Sequence, residues 1–409
     1  MPPPSRIAPQ PWLQEPATQA LLAAFGAAGI AVRFVGGCVR DSLLGRDIAD
    51  LDLATPARPE AILAALRQAG IKAVPTGIAH GTVTAIVPPR HFEITTLRRD
   101  TETDGRHARV AFDADWHEDA TRRDFTINAI YLDPDGVLHD PVGGLADLPA
   151  HRVRFVGDAA RRIDEDVLRI LRYYRFEARF GGGDGDAAAR AACHAAASRL
   201  SLLSAERVAQ ELLRLLDVPN PMRALRLMTE DGVLAALLPE AIRLDRLARL
   251  IQLDPAARDP LLRLAAIIDV TRGGAAALAQ RLHLSNASRD RLAGLAPPWP
   301  IDLADDDKAR RLARYRLGKE RYRDLARLVA AEHADFNNQR LTATLTMAAW
   351  EPPVFPLGGN DVTALGIAPG HRVGQLLADT RRWWEDGDFT ADRIQCLDHL
   401  RQIAGTGNP

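Results

Sequence analysis

Hydrophobic and polar positions change their rhythm along the chain. Residues 21–30 carry a short helical pattern that ends near Gly29, after which AVRFVGG reads as a strand running into a glycine turn. VRDSLLGR predicts a helix and IADLDLAT a second strand. PEAILAALRQAG predicts an amphipathic helix, with Pro59 near its start and Gly70 after its end. TVTAIVP and HFEITTLR alternate as two further strands. Residues 99–120 are polar and predict a loop, and TRRDFTINAIYLDPDG predicts a helix start followed by a strand and a turn.

Near residue 150 the rhythm becomes helical throughout, rich in Ala, Leu and Arg, with breaks at 181–186, 217–221, 296–300 and 351–359. The expected architecture is therefore a mixed α+β head over 1–148, followed by three all-α pieces. These are a neck over 149–217, a body over 218–350 and a tail over 351–409.

Composition narrows the picture. A chain of 409 residues is long for one domain. No apolar run reaches the length of about eighteen residues that spans a bilayer, and MPPPSRIAPQPW lacks an apolar signal core, so no membrane association and a cytoplasmic location are expected. The three cysteines, Cys38, Cys193 and Cys396, lie far apart and suggest neither a disulfide framework nor a zinc site. Net charge is −1, so the whole molecule is no electrostatic magnet for nucleic acid. Only three of the 52 basic residues are lysines, an excess of arginine that matters where it clusters.

The candidate chemistry begins with Asp50 and Asp52. On a strand, residues two apart face the same side, so both carboxylates emerge together while Leu51 and Leu53 turn inward. Two acids this close repel unless a cation lies between them, and Mg²⁺ is held by one or two carboxylates together with substrate phosphate oxygens. D-x-D alone is a weak signal. Gly36 and Gly37 precede it and free backbone N–H groups where a phosphate can bind; Arg40 follows on the same predicted helix; Glu93 lies on a later strand as a possible third acid.

With these residues in place, VGGCVRDSLLGR followed by DLDLAT resembles the first signature of the class II CCA-adding enzyme and poly(A) polymerase family, a branch of the polymerase-β-like nucleotidyltransferases. The family motif often has a basic residue where this chain has Ala49, and Cys38 takes a usually small or apolar position. Arg122-Arg123-Asp124-Phe125-Thr126, then Asn128-Ala129, resembles the second signature. On its own it reads as a surface ion pair around a helix cap, a common arrangement. The resemblance implies that Arg123 contacts the nucleotide and that Asp124 orients it or touches the ribose.

The third constellation runs from Asp164 to Phe176. On one continuous helix, Glu165, Arg169, Arg172 and Arg175 gather on one side and Val167, Ile170, Leu171 and Tyr174 on the other, as in any amphipathic helix. Glu-Asp-x-x-Arg resembles the family motif that reads the incoming base without a template. By that resemblance Asp166 and Arg169 are the base readers, and Arg172 and Arg175 serve the phosphates or the acceptor end. An Asp acceptor suits the exocyclic amine of C or A and rejects the carbonyl of G or U.

The 200–216 helix is mostly structural by its spacing, with Glu206 and Arg207 as minor candidates. Residues 308–327 hold nine basic and two acidic residues. They form a solvated helix face or, through Arg310, Arg311, Arg314, Lys319 and Arg321, a phosphate-tracking RNA patch. Residues 358–393 resemble a C-terminal segment of the family, and His139-Asp140 reads as a turn before Pro141.

The implied function is template-independent extension of an RNA 3′ end, foremost CCA addition to tRNA from CTP and ATP with two Mg²⁺ ions, and no protein partner is implied. The alternatives are a poly(A) polymerase, a partial CC- or A-adding enzyme, or a non-catalytic RNA-binding protein on the same scaffold.

Overall fold

The structure is a computed structural model. It describes residues 5–405 except 49, 78–80, 105–106, 113, 257 and 334–337. The chain forms two compact units that divide between Ala241 and Ile242.

The first unit opens with α1 (Pro16–Ala27), β1 (Arg33–Val35), α2 (Gly37–Leu43), β2 (Leu51–Thr55), α3 (Pro59–Gln68), β3 (Lys72–Gly77), β4 (Thr82–Val87) and β5 (Arg90–Thr96). A hairpin of β6 (Arg99–Asp104) and β7 (His107–Ala111) follows, then α4 (Trp116–Thr121), β8 (Tyr131–Leu132), β9 (Leu138–His139) and α5 (Gly144–Asp147). Seven strands make one sheet in the order β3-β4-β5-β2-β1-β8-β9, and β6-β7 stands as a separate pair. Its buried face includes Val35, Ala54, Leu97, Ala129, Tyr131 and Val156. The N-terminal segment joins the far edge, where Arg6 bridges to Val137.

The helical remainder of this unit is α6 (Ala159–Glu165), α7 (Arg169–Phe180), α8 (Ala187–Ala196), α9 (Ala205–Leu216), α10 (Met222–Glu230) and α11 (Val233–Leu237). The second unit is helical among its described residues: α12 (Leu244–Leu253), α13 (Pro260–Ile267), α14 (Arg272–Arg281), α15 (Asn286–Leu295), α16 (Asp307–Leu317), α17 (Lys319–Glu332), α18 (Asn338–Met347), α19 (Gly359–Thr363), α20 (His371–Asp386) and α21 (Arg393–Gly405). No described helix is long and apolar enough to cross a membrane.

Three expectations need correction. The polar 99–120 stretch is not a loop, because β6 and β7 pair antiparallel and α4 begins inside it. The helix expected to start at the Arg122-Arg123 pair instead ends there. Asp115 caps it early, accepting from Glu118 N–H at 2.8 Å while Glu118 reaches back to Asp115 N–H at 2.9 Å. The two arginines therefore sit at a helix C-terminus, the end that favours cations.

The third correction concerns the 164–176 segment, which is two helices rather than one. Asp166 is extended, with φ −156° and ψ 106°. Its Oδ1 accepts from Leu168 N–H at 3.1 Å and its carbonyl from Arg169 N–H at 3.0 Å, so the side chain starts a new helix. The expected apolar side survives on α7, where Ile170, Leu171 and Tyr174 are buried. The Asp140 turn has a plain structural purpose: its carboxylate accepts from Gly144 N–H at 2.8 Å and Leu145 N–H at 2.9 Å.

Candidate active site

The acids are set by the sheet. β2 and β5 pair in parallel, and Asp52 stands directly opposite Glu93. Leu51 and Leu53 are buried beneath them, as alternation requires. Asp50 lies exposed just before the strand. Asp52 is half-buried, and among the described residues no hydrogen-bond donor reaches its carboxylate. Burial first, then the charges of Glu93 and Asp50, push Asp52 up to about 6, against the pull of Arg123.

Carboxylates crowded together and left without donors suit a hard cation. Among the described residues no three of His, Cys, Asp or Glu form a complete metal cage.

Gly36 sits over this group with φ 79°, a conformation that favours glycine. A Cβ there would stand 3.9 Å from both Asp52 Oδ2 and Arg123 Nη1. Gly37 begins α2 behind it. Arg123 is held from behind by Asp119, whose Oδ2 accepts from Arg123 Nη2 at 3.0 Å and from Tyr131 OH at 2.7 Å. Its Oδ1 accepts from Arg122 Nε at 2.8 Å. Burial opposes this charge, yet Arg123, Arg122 and Tyr131 together hold Asp119 below the usual carboxylate range.

Arg123 also lines a cavity of about 330 Å³ with Arg122, Asp124, Asn128, Asp166, Leu168, Arg169, Arg172 and Arg207. Within it Asp124 accepts from Arg172 Nε at 2.9 Å and Asn128 Nδ2 at 3.0 Å. Burial would raise Asp124, but Arg172 and Asn128 hold it down at about 2. Asp166 Oδ2 accepts from Arg207 Nη2 at 2.7 Å. Arg169 donates through Nη1 to Glu165 Oε2 at 2.6 Å and to the Arg162 carbonyl at 2.8 Å. Each acid in this cavity thus has an arginine partner, and the guanidinium groups provide an anion-binding lining.

Two of the expected nucleotide-binding residues stand elsewhere. Arg175 turns to the buried Glu211, 2.5 Å away. Arg40 is buried, bonded to Asp41 at 2.9 Å and Asn128 at 2.6 Å, with its guanidinium 4.2 Å over Phe180. Both act as packing and positioning groups in this arrangement.

In the second unit the arginines of α16 mostly serve the fold. Arg310 and Arg314 are buried, donating to Leu303 O and Ala348 O, each at 3.1 Å. That corrects the expectation of phosphate contacts for these two. Arg311 pairs with Asp388 at 2.8 Å, Arg321 donates to Gly294 O at 3.1 Å, and Lys319 lies 3.9 Å from Glu351. Tyr315 and Tyr322 pack inward: Tyr315 meets Trp384 and Phe389, and Tyr322 is fully buried.

Sequence reasoning missed Asp119 and Arg162 and gave Arg207 little weight. The spacing of Asp119 four residues before Arg123 was a readable signal. The Arg207 contact crosses between helices and had none.

Residues 32–154 match a family model described as the poly A polymerase head domain. Residues 186–244 match one described as the probable RNA and SrmB-binding site of polymerase A. The chain is 33% identical over 382 residues to "CCA tRNA nucleotidyltransferase 1, mitochondrial" of Mus musculus, covering 91% of this chain and 86% of that protein. It is 39% identical over 206 residues to the CCA-adding enzyme of Geobacillus stearothermophilus, half of each chain. The crystal structure of the Bacillus stearothermophilus CCA-adding enzyme in complex with CTP aligns with a TM-score of 0.72 and 28% identity, covering 96% of this chain and 99% of that one. The Thermotoga maritima CCA-adding enzyme complexed with tRNA_CCA shares the fold, with a TM-score of 0.70 at 21% identity over 96% of each chain.

Proposed function

The chain belongs to the class II CCA-adding enzyme and poly(A) polymerase family, and we propose that it completes tRNA 3′ ends with C, C and A, using CTP and ATP. The observation that carries this reading is the one cavity lined by Arg122, Arg123, Arg172 and Arg207 together with Asp166 and Arg169, with Arg123 also standing near Asp52 under Gly36.

In this proposal Asp50 and Asp52, with Glu93 beside them, hold two Mg²⁺ ions. When bound, the ions supply the charge that makes a 3′ hydroxyl nucleophilic and pyrophosphate a leaving group. Arg123, backed by Asp119, binds the triphosphate near Gly36, and Arg172, fixed by Asp124, adds positive charge across the cavity. Asp166 accepts from the exocyclic amine of C or A, and Arg169 donates to the neighbouring ring acceptor. A base that presents a carbonyl there leaves buried polar groups unpaired, at about 1–3 kcal/mol per group. The tRNA 3′ oxygen then attacks the α-phosphorus, the bond to the β-phosphate oxygen breaks, and pyrophosphate departs with the negative charge. The four-part division into head, neck, body and tail, RNA contacts from the half-buried Arg311 and the exposed Lys319 and Arg321, and a cytoplasmic location belong to the same proposal.

The test is incubation with tRNA lacking its 3′ CCA, with CTP and ATP separately and together. Addition of C-C-A followed by arrest supports the reading. Long A tracts on unrelated RNAs would replace it with poly(A) polymerase. Extension by ATP alone, and only of a supplied CC end, would mark an A-adding enzyme.

A further inference from the structure

Arg162 lies on α6 and takes no part in any motif recognised in the sequence. It is buried, its Nε–H meets no acceptor, and its acidic partner Glu165 also serves Arg161 and Arg169. Burial and the adjacent Arg169 both work against its charge. Stability alone does not favour such a residue, since an apolar side chain of similar volume fills the space without desolvating a guanidinium.

Its contacts give another reason for it. Nη2 donates to the carbonyl oxygens of both Arg122 and Arg123, the latter at 2.7 Å. Nη1 donates to Glu165 Oε2. That same Oε2 accepts from Arg169 Nη1, and the Arg162 carbonyl accepts from Arg169 Nη1 as well. One nitrogen of the guanidinium therefore holds the backbone that carries Arg123 and Asp124. The other nitrogen, through Glu165, and the residue's own backbone carbonyl fix where Arg169 points. No other described side chain bonds both to this backbone and to the group that aims Arg169. The neighbouring link, Arg172 to Asp124, fastens α7 to the same loop but does not touch Glu165 or Arg169.

We propose that Arg162 is the positioning residue that couples triphosphate binding to base reading. This rests on the roles given above to Arg123 and Arg169. When Arg169 meets a matching base, the Glu165–Arg162 link keeps the Arg122 and Arg123 carbonyls, and hence the Arg123 guanidinium, in place on the triphosphate. When the base does not match, Arg169 moves, Glu165 and Arg162 move with it, and Arg123 loses its aim. A wrong base is then penalised at the reacting phosphate as well as in the base pocket. Selectivity appears in kcat and not only in KM, which is the mark of interactions tightened in the transition state.

The test is a double-mutant cycle on equilibrium CTP binding to the full chain, using Arg123→Lys and Arg169→Lys. The cycle is measured once in the native background and once with Arg162→Met. The expected result is non-additivity of fivefold or more in the native background and additivity within twofold in Arg162→Met. In parallel, the ratio of kcat for CTP to kcat for UTP on tRNA lacking CCA falls at least tenfold in Arg162→Met, while KM for CTP changes less. An unchanged cycle with an unchanged kcat ratio, in a variant with native circular dichroism, overturns the proposal. Should Arg162→Met fail to fold, Arg162→Lys carries the same measurements: it retains the charge but cannot reach two carbonyls and Glu165 together. The binding cycle needs no turnover. A chain that binds CTP with native coupling but adds nothing to tRNA would sink the functional reading and leave this inference standing.

Discussion

Replacing Asp119 by Asn tests the support behind Arg123. The carboxylate has a side-chain exposure of 1%, and its two oxygens face different partners. Oδ1 takes Arg122, through Nε at 2.8 Å and Nη2 at 2.7 Å; Oδ2 takes Tyr131 OH at 2.7 Å and Arg123 Nη2 at 3.0 Å. An amide offers one oxygen only, so whichever way it turns, its NH₂ group confronts donors. Hydrogen bonds to charged groups are worth about 1.5–3 kcal/mol each. Breaking a buried ion pair costs about 3–5 kcal/mol. Arg122 and Arg123 keep 16% and 18% of their side chains in solvent, so water recovers part of that cost. The expected loss is about 3 kcal/mol, near the low end.

Urea unfolding at pH 7 measures the loss, with Trp116 as a local fluorophore because its ring packs edge-on against Tyr131 at 5.5 Å. The pH dependence has a definite sign. The folded-state value of Asp119 is depressed, so its contribution is complete above the unfolded value of about 4 and fades as pH falls through the lower folded value. The gap between native and Asp119→Asn protein is therefore widest near neutrality and closes in acid. CTP affinity falls with the variant as well, by about tenfold if some 1.4 kcal/mol of Arg123 alignment is lost. A loss under about 0.5 kcal/mol with unchanged CTP affinity, the size of an ordinary surface substitution, refutes the argument.

Asp52→Asn removes the central acid and is expected to abolish nucleotide addition in single-turnover assays on tRNA lacking CCA, while thermal stability holds or rises because a crowded buried charge is gone. Chelation of divalent cations should stop addition by the native chain and Mg²⁺ should restore it; full activity in excess chelator would remove Asp50, Asp52 and Glu93 from metal binding. Gly36→Ala meets ordinary contacts at 3.9 Å but is strained at φ 79°, so about 1–3 kcal/mol of stability and most of kcat/KM are expected to go. Arg314→Ala strips a buried donor from Ala348 O and should destabilise the second unit by about 1–3 kcal/mol in urea titration, whereas Arg321→Ala should shift it by no more than about 0.5 kcal/mol.

The placing of two acids was legible where short alternating segments carried it: Asp52 and Glu93 lie on the expected strands, and the register of β2 with β5 brings them together, whereas Asp50 stands just before β2 rather than on it. The helix break at Asp166 was invisible, because a pattern of i, i+3 and i+4 contacts is the same in one helix and in two laid end to end. Only the local bond from Leu168 N–H to the Asp166 carboxylate decides between them. Arg310 and Arg314 were indistinguishable in the sequence from phosphate-binding arginines. Their carbonyl partners, Leu303 and Ala348, lie in other turns of the chain, so burial and not composition sets their use. Arg162 escaped for a related reason: its partners are backbone oxygens, which no residue pattern records.

The pairing of Asp52 with Glu93 has a consequence for how this site withstands change. A slip of one residue between β2 and β5 would set Phe92 or Ile94, both fully buried, opposite Asp52 and turn Glu93 into the core. The apolar alternation that packs the sheet therefore polices the spacing of the acids, and a misregistered site is also a misfolded one. The intervening chain, 56–89, leaves the acids through α3, β3 and β4 and returns to the same register. Within it β4 also pairs with β5, setting Thr84 opposite Glu93, so the same strand that returns the chain to the acids fixes Glu93 from its other side.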